Sequence, residues 1–315
     1  MSNATASAWL RIGHTTLVEA RTGCTVLLFD HLSPARVDVR GGAPGTRETD
    51  LLQAGRLVGG VDAIVLTGGS AFGLASIDGV VRWLAEQGRG FPTAARPVPI
   101  VAGAVIFDLA NGLPDHPTAN DGYAAAAGAT PIKDSVQHRF HGAGVGATVA
   151  KLGGVPAAGG IGVVTRQAGE FTVTAVVVLN AIGDVMDPRT GRMLAQASLP
   201  DGSTPGAEGL VLGTAGEAVA RAGEATTIGA VLFHQPVNEA VLQRATIAAH
   251  AGLARCVFPS HTLFDGDTMF SCAPTLGELA HGQALQATTL AQVAMEDAIC
   301  SIFAGAAGSA PVLQS

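Results

Sequence analysis

A layered α/β (α+β) fold is what this sequence predicts, and three observations predict it. Runs such as "CTVLLFD" (24–30) and "FTVTAVVVLN" (171–180) are apolar on both faces, as strands covered on both sides must be. Stretches of helical period, above all "TTLAQVAMEDAICSIFAGA" (288–306), are apolar around much of their girth, so they too pack inside layers. The chain of 315 residues is 48% hydrophobic and only 14% charged, against roughly 25% charged in an average soluble domain. Strand and helix alternate early in the chain, which suits a doubly wound parallel sheet equally well. Length and pattern leave both layouts open.

The elements follow in order. "CTVLLFD" reads as a buried strand, and "ARVDVRGG" (35–42) as an alternating strand ended by glycines. "VDAIVLTGGSAFGLASIDGVVRWLAEQG" (61–88) runs from an apolar strand through Gly68, Gly69 and Ser70 into a helix, where Leu74, Ile77, Val81 and Leu84 recur at helical spacing. "VPIVAGAVIFDL" (98–109), "FTVTAVVVLN" and "TIGAVLFH" (227–234) are further strands. "PVNEAVLQRATIAAHAGLA" reads as a helix with Pro236 in its first turn. "DTMFSCA" (267–273) is a short strand, followed by the helix over 288–306. Residues 197–225 are small, polar and rich in breakers, and they read as a flexible linker.

Composition excludes several partners. The net charge is −7 and no run of Lys or Arg occurs, whereas a polyanion needs a basic stripe. Nucleic acid is therefore not expected. No stretch of about 18 apolar residues lacks breakers, so no membrane span is expected. The opening "MSNATASAWLRIGH" lacks the charged-then-apolar layout of a signal peptide, and Cys24, Cys256, Cys272 and Cys300 have no CxxC spacing. A cytoplasmic protein with free buried thiols is the expectation. So few charges also imply surface hidden between subunits, and an oligomer is expected.

Four features carry possible chemistry. "TGGSAFG" (67–73) looks like a phosphate cradle but lacks the P-loop Lys and the GxGxxG spacing; a tight turn capped by Ser70, its amides free to line a pocket, is the simpler account. His138 and His141 lie three apart with no third ligand nearby, which does not make a zinc site. His14, beside Thr15 and Thr16, suggests a local turn. "HTLFDGDTMF" (261–270) sets Asp265 and Asp267 around Gly266, either as a turn that starts a strand or as two carboxylates aimed at one site.

The tripeptide Ala-Thr-Thr occurs twice, at 225–227 and 287–289. The second copy precedes a helix, where a threonine caps free amides. The first follows the long polar stretch and opens a strand. Threonine is ordinary strand material there, yet one chemistry requires this placement. A cut before Thr226 gives that residue both a hydroxyl nucleophile and a free α-amine, whose unperturbed pKa near 8 suits it to act as the nucleophile's own base.

Taken together, "RIGHTTLVEARTGCTVLLFD", "RVDVRGGAPGTRETDLL", "VLTGGSAFGLASIDGV", "TTIGAVLFH" and "HTLFDGDTMF" resemble the self-processing aminopeptidases typified by L-aminopeptidase/D-esterase. That family includes β-peptidyl aminopeptidases and the endo-acting nylon-oligomer hydrolases, and the likeness runs over roughly residues 10 to 305. The resemblance implies a four-layer αββα sandwich shared with ornithine acetyltransferase. It also implies self-cleavage into a 1–225 α chain and a 226–315 β chain that stay associated as one catalytic domain, in a tetramer of αβ units. By position Thr226 matches the nucleophile, and Asp265 and Asp267 match an acidic pair that orients it. Asn180 matches a residue at the reacting carbonyl, and Lys151 a lysine near the site. Phe107 falls where some relatives carry Tyr, so a hydroxyl contact is lost, and Ala225 replaces the usual Asn or Gly before the cut. The implied activity is hydrolysis of small peptides or amides through an acyl-enzyme, with no metal, nucleotide or other cofactor. Acyl transfer of the ornithine acetyltransferase type and an unprocessed, non-catalytic binder are the alternatives.

Overall fold

The computed structural model of the chain describes residues 9–132, 139–213 and 224–304. β1 (Leu10–Leu17) and the first half of β2 (Thr22–Val39) form an antiparallel hairpin, with Leu10 opposite Phe29 and Leu17 opposite Thr22. His14, expected in a turn, lies inside β1, its Nδ1 2.9 Å from Thr25 Oγ1 across the hairpin. The two runs at 24–30 and 35–42 are one continuous strand. Its register against β3 (Gly60–Thr67) breaks between Leu28 and Ser33. Beyond Pro34 it pairs with a different strand, which carries the chain from one half of the sheet to the other.

β3 is followed by α1 (Ala75–Glu86), β4 (Val101–Val105), which runs parallel to β3, and α2 (Ala119–Ala127). The second half contains β5 (Gly160–Ala168), β6 (Phe171–Asn180) and β7 (Thr226–Phe233), each antiparallel to the next. α3 (Glu239–Cys256) then leads to β8 (Thr268–Cys272), which lies parallel to β7 and antiparallel to the end of β2, and α4 (His281–Ser301) follows. Among the described residues this makes a continuous ten-stranded sheet whose main path runs β4, β3, β2, β8, β7, β6, β5.

Period-two alternation explains the layering. In β2, Val26 and Leu28 face one way, into a cluster with Ile77, Val80 and Leu84 of α1 and Ala125 and Ala126 of α2. Leu27 and Phe29 face the other way and meet Val176, Val178, Ile228 and Phe270 from the second half of the sheet. In β6, Val173, Ala175, Val177 and Leu179 turn to α3 and α4. Three apolar interfaces therefore separate four layers in the order α, β, β, α. The doubly wound layout left open by the sequence is excluded, since only β3–β4 and β7–β8 are parallel among these neighbours. Strands covered on both sides cannot reveal from sequence alone what covers them.

Two helix starts differ from expectation. α3 begins behind Asn238, whose side chain accepts from the Val241 amide at 2.9 Å, so Pro236 lies upstream and not in the first turn. The asparagine wins because it satisfies a free terminal amide that proline cannot. α4 begins seven residues before Thr288. Thr288 is thus inside the helix and not at its cap, its hydroxyl donating to the carbonyls of Ala284 (2.9 Å) and Leu285 (3.1 Å). Within the expected linker, Gly206–Gly213 forms a helix with Ala207 and Leu210 buried, and residues 214–223 lie outside the described residues. Of the four cysteines, Cys24, Cys256 and Cys272 are buried free thiols and Cys300 is half-buried and free.

Candidate active site

Two strand registers bring the distant residues together. In the antiparallel pairing of β6 with β7, Asn180 stands opposite Thr226. Just before β7, Ala225 bridges in parallel to Asp265, ahead of the β7–β8 ladder. Thr226 opens β7 and Asn180 closes β6, so both lie where the sheet runs out and a loop can reach them. The site is closed in this uncut chain: Thr226 is 4% exposed, Ala225, Asp265 and Asp267 1%, and Asn180 0%.

At the Ala225–Thr226 bond, the Thr226 hydroxyl donates to the carbonyl of Ala225. The same carbonyl accepts the Gly266 amide at 3.1 Å. A Cβ built on Gly266 would stand 2.9 Å from Thr226 Oγ1, so the glycine is what lets the backbone approach the hydroxyl. One residue upstream, the Glu224 carbonyl accepts from Lys151 Nζ and, at 3.4 Å, from Asn180 Nδ2. Lys151 Nζ also donates to Asn180 Oδ1 at 2.9 Å, and Asn180 Nδ2 donates to the Phe107 carbonyl at 3.0 Å. Asn180, expected at the reacting carbonyl, thus holds the next one. Phe107 contributes its backbone oxygen.

The two carboxylates have separate tasks. Asp267 Oδ1 accepts the Thr227 amide at 2.7 Å, which extends the β7–β8 ladder by one residue through a side chain. Its Oδ2 accepts both the backbone N–H (3.0 Å) and Nδ1 (2.8 Å) of His261. Asp265 Oδ2 accepts the amide (2.8 Å) and hydroxyl (2.6 Å) of Thr262, closing a local turn. The turn read in "DGD" is present, and its two carboxylates engage the Thr227 amide, His261 and Thr262.

Burial sets the titration of these groups. Lys151 is pulled down to about 7, by desolvation first and against the pull of Glu224, Asp265 and Asp108. Asp265 is pushed up to about 6 by desolvation and by the neighbouring Asp267. Asp108, which follows Phe107, is also pushed up to about 6 by burial. An amine and two carboxyls that titrate near neutrality in one buried cluster are the pattern of proton-transfer chemistry.

The turn at Gly68, Gly69 and Ser70 is not an open cradle. The Gly68 amide donates to Gly23 O (2.9 Å), Gly69 to Asp108 Oδ1 (2.7 Å) and Ser70 to Ile106 O (2.9 Å). Ser70 is not a cap but the first residue of a single helical turn, Ser70–Gly73, ahead of α1; Gly69, at φ 81°, is the N-cap residue of that turn. The turn meets the site through Asp108, one residue from the carbonyl that holds Asn180. His138 lies outside the described residues, and His141 packs edge-on against His14, ring centroids 5.2 Å apart. Burial, then His141, lowers His14 to about 4.

Sequence reasoning did not single out Gly266, His261 or Asp108 as site residues. All three lie within "HTLFDGDTMF" and "VPIVAGAVIFDL", beside residues with more familiar roles. A backbone amide and a second-rank histidine leave no spacing pattern.

Comparison with known proteins gives the family and the fold. Residues 8–310 match the family described as peptidase family S58. An uncharacterised aminopeptidase of Mycobacterium leprae is 43% identical over 256 residues, covering 80% of this chain and 70% of the relative. A 6-aminohexanoate-oligomer endohydrolase of a Kocuria species is 30% identical, over 90% of this chain and 80% of the relative. Among solved structures, a β-aminopeptidase of a Burkholderia species superposes with a TM-score of 0.68 at 20% identity, covering 93% of this chain and 83% of that one. The L-aminopeptidase D-Ala-esterase/amidase of Ochrobactrum anthropi, a variant of the Ntn-hydrolase fold, has a TM-score of 0.66 at 17% identity, with 93% and 83% covered. Distant likenesses of this kind establish the fold, and the family match spans nearly the whole chain. The chain therefore belongs to peptidase family S58, on an Ntn-hydrolase fold, and is a hydrolase of peptide or amide bonds.

Proposed function

We propose that the chain matures by cutting itself between Ala225 and Thr226, and that the freed Thr226 then hydrolyses small peptides or amides through an acyl-enzyme. The observation that carries this reading is the Ala225 carbonyl, which touches the Thr226 hydroxyl and accepts the Gly266 amide. Attack of Thr226 Oγ1 on that carbon puts negative charge on an oxygen that already has a donor. The C–N bond then breaks, the hydroxyl proton passes to the departing nitrogen, and the acyl group rests as an ester on Thr226. Water hydrolyses the ester to leave the carboxylate of Ala225 and the free amine of Thr226. That amine serves afterwards as base for the same hydroxyl. Burial supports the order of events, because an outside substrate cannot reach a residue 4% exposed until the Ala225 end withdraws.

A denaturing gel tests it. Residues 226–315 are 90 of 315, so a light chain of about 9 kDa from the 31.5 kDa chain is expected, with Thr as its first residue. A single full-length band that persists on incubation, without amidase activity, overturns the proposal.

The self-cleaving bond also describes an acyl pocket. Ala225 belongs to a small apolar cluster with Leu152, Ile182, Ala197, Ala207 and Leu210. The two oxygens of Asp184 accept the Ala197 (2.7 Å) and Ala207 (2.8 Å) amides and pin two sides of that cluster. An acyl group of alanine size fits, and each misfitting methylene costs about 1 to 3 kcal/mol. Among aminoacyl p-nitroanilides and β-amino amides, small acyl units are expected to exceed Leu and Phe in kcat/KM. Ala225→Phe is expected to slow self-cleavage about tenfold or more.

Activity should also report Lys151. Below about 7 its amine is a cation bonded to the Asn180 side chain and the Glu224 carbonyl, one residue before Thr226's neighbour Ala225, and above that it is neutral. The base form of the Thr226 amine is the active one, and the two amines titrate as a pair. Hydrolysis is therefore expected to fall as pH drops through about 7, and Lys151→Met is expected to displace that acid limb. A rate–pH profile identical in the two proteins would contradict the role of Lys151.

A further inference from the structure

His261 is a half-buried histidine that nothing in the proposed mechanism uses. It belongs to neither β7 nor β8 and stands six residues before Asp267, in the left-handed region at φ 57°. Histidine is one of the few non-glycine residues found there at all, and such a conformation persists only where surrounding contacts hold it. Here the contact is one atom: the backbone N–H and Nδ1 of His261 both donate to Asp267 Oδ2, at 3.0 and 2.8 Å. The remaining oxygen of Asp267 takes the Thr227 amide at 2.7 Å.

The ring is held from behind. His250 of α3 packs edge-on against it, centroids 4.8 Å apart and planes at 75°. His250 Nε2 faces the Asp38 carbonyl at 3.0 Å, so that nitrogen carries the hydrogen. Burial lowers His250 to about 4 and keeps it neutral. Among the described residues neither His261 Nε2 nor His250 Nδ1 has a hydrogen-bond partner. The polar engagement of the His261 side chain is therefore its bond to Asp267, and the tautomer that makes it is Nδ1–H.

We propose that His261 is a positioning residue for the Thr226 site: by donating twice to one oxygen of Asp267 it turns the other oxygen onto the Thr227 amide and fixes the first residues of β7, where Thr226 must present its hydroxyl. A carboxylate with one anchored oxygen has lost its rotation about Cβ–Cγ, so the next bond in the chain, Asp267 to Thr227, keeps one geometry. The inference rests on Thr226 as the nucleophile, and its test separates the two.

Two variants divide backbone from side chain. His261→Gly adopts positive φ readily and keeps the backbone N–H, but removes the ring. His261→Asn also tolerates that φ, and its amide nitrogen occupies the place of Nδ1 and restores the second donor. In the full-length chain, His261→Gly is expected to lower kcat about tenfold or more while KM stays within about threefold, the size of effect a hydrogen bond to a charged group has. His261→Asn is expected to recover most of that loss. Hydrogen exchange at the Thr227 amide, in the uncut Thr226→Ala chain, should show protection reduced by His261→Gly and kept by His261→Asn. Unchanged kcat in His261→Gly overturns the inference, as does a His261→Asn protein no better than His261→Gly, or equal Thr227 protection in all three. A wild-type chain that shows no Thr226-dependent cut removes the nucleophile reading instead, and the exchange measurement then still decides whether His261 positions Thr227.

Discussion

Thr226→Ala is expected to leave a single full-length band on a denaturing gel and no amidase activity. The substitution removes one hydroxyl and one methyl from a buried strand residue, so the chain still folds and a thermal melt stays close to that of the parent. What disappears is the atom that, in the proposed mechanism, attacks both the Ala225 carbonyl and the substrate. Loss of a nucleophile costs about 10⁴-fold or more in kcat where it acts as the centre of a cooperating group. Thr288→Ala is the matched control. Its hydroxyl bonds to helix carbonyls that are already engaged in α4, so both cutting and turnover are expected to continue. A cut that persists in Thr226→Ala would place the scissile bond elsewhere, and sequencing the light chain would say where.

Gly266→Ala is the second large effect, and it acts through space alone. The new methyl would stand 2.8 Å from the Ala43 carbonyl oxygen and 2.9 Å from Thr226 Oγ1. Backbone on one side cannot yield, so the segment between α3 and β8 must move and the Gly266 amide leaves the Ala225 carbonyl. Removing one such donor typically costs about 3 to 4 kcal/mol, or about 10²- to 10³-fold. The half-life of the full-length band should lengthen by that factor. Gly282→Ala is the comparison, since a Cβ there meets nothing within 4 Å, and it should cut at the parent rate. A Gly266→Ala chain that matures normally would show that this amide is not the donor the oxyanion uses.

The pocket around Ala225 gives the proposed specificity its physical content. Helix Gly206–Gly213 contributes Ala207 and Leu210 to it, from the segment whose composition read as linker. Its eight residues are too few for a period to emerge among the surrounding glycines, and the Asp184 carboxylate, which accepts the Ala207 amide, ties its first turn to the cluster.

How much was legible in the sequence depends on the range of the interaction involved. Strand identity is local: apolar, β-branched residues made "FTVTAVVVLN" recognisable as a strand, and it is β6 to the residue. The candidate nucleophile was legible as well, because a threonine pair between a polar stretch and an apolar run is a local contrast, and the motif likeness singled out the same position. Where a helix begins was less legible: Asn238 and Gln283 act through one side-chain bond each, and several nearby residues had equal claim.

By itself, then, the sequence determined the strands, the apolar helices, the low charge that calls for buried faces, and the identity of Thr226, Asn180, Lys151, Asp265 and Asp267 as residues to watch. Only the tertiary structure decided how they meet. The turn of β2 past Pro34 folds one half of the sheet over the other, and cross-strand register sets Asn180 opposite Thr226. Register is a relation between strands far apart in the chain, enforced by which faces are buried, and no single segment carries it. For the same reason the Gly266 amide at the Ala225 carbonyl and the His261 grip on Asp267 came from folding: each is a contact of backbone or ring geometry, written in no residue type.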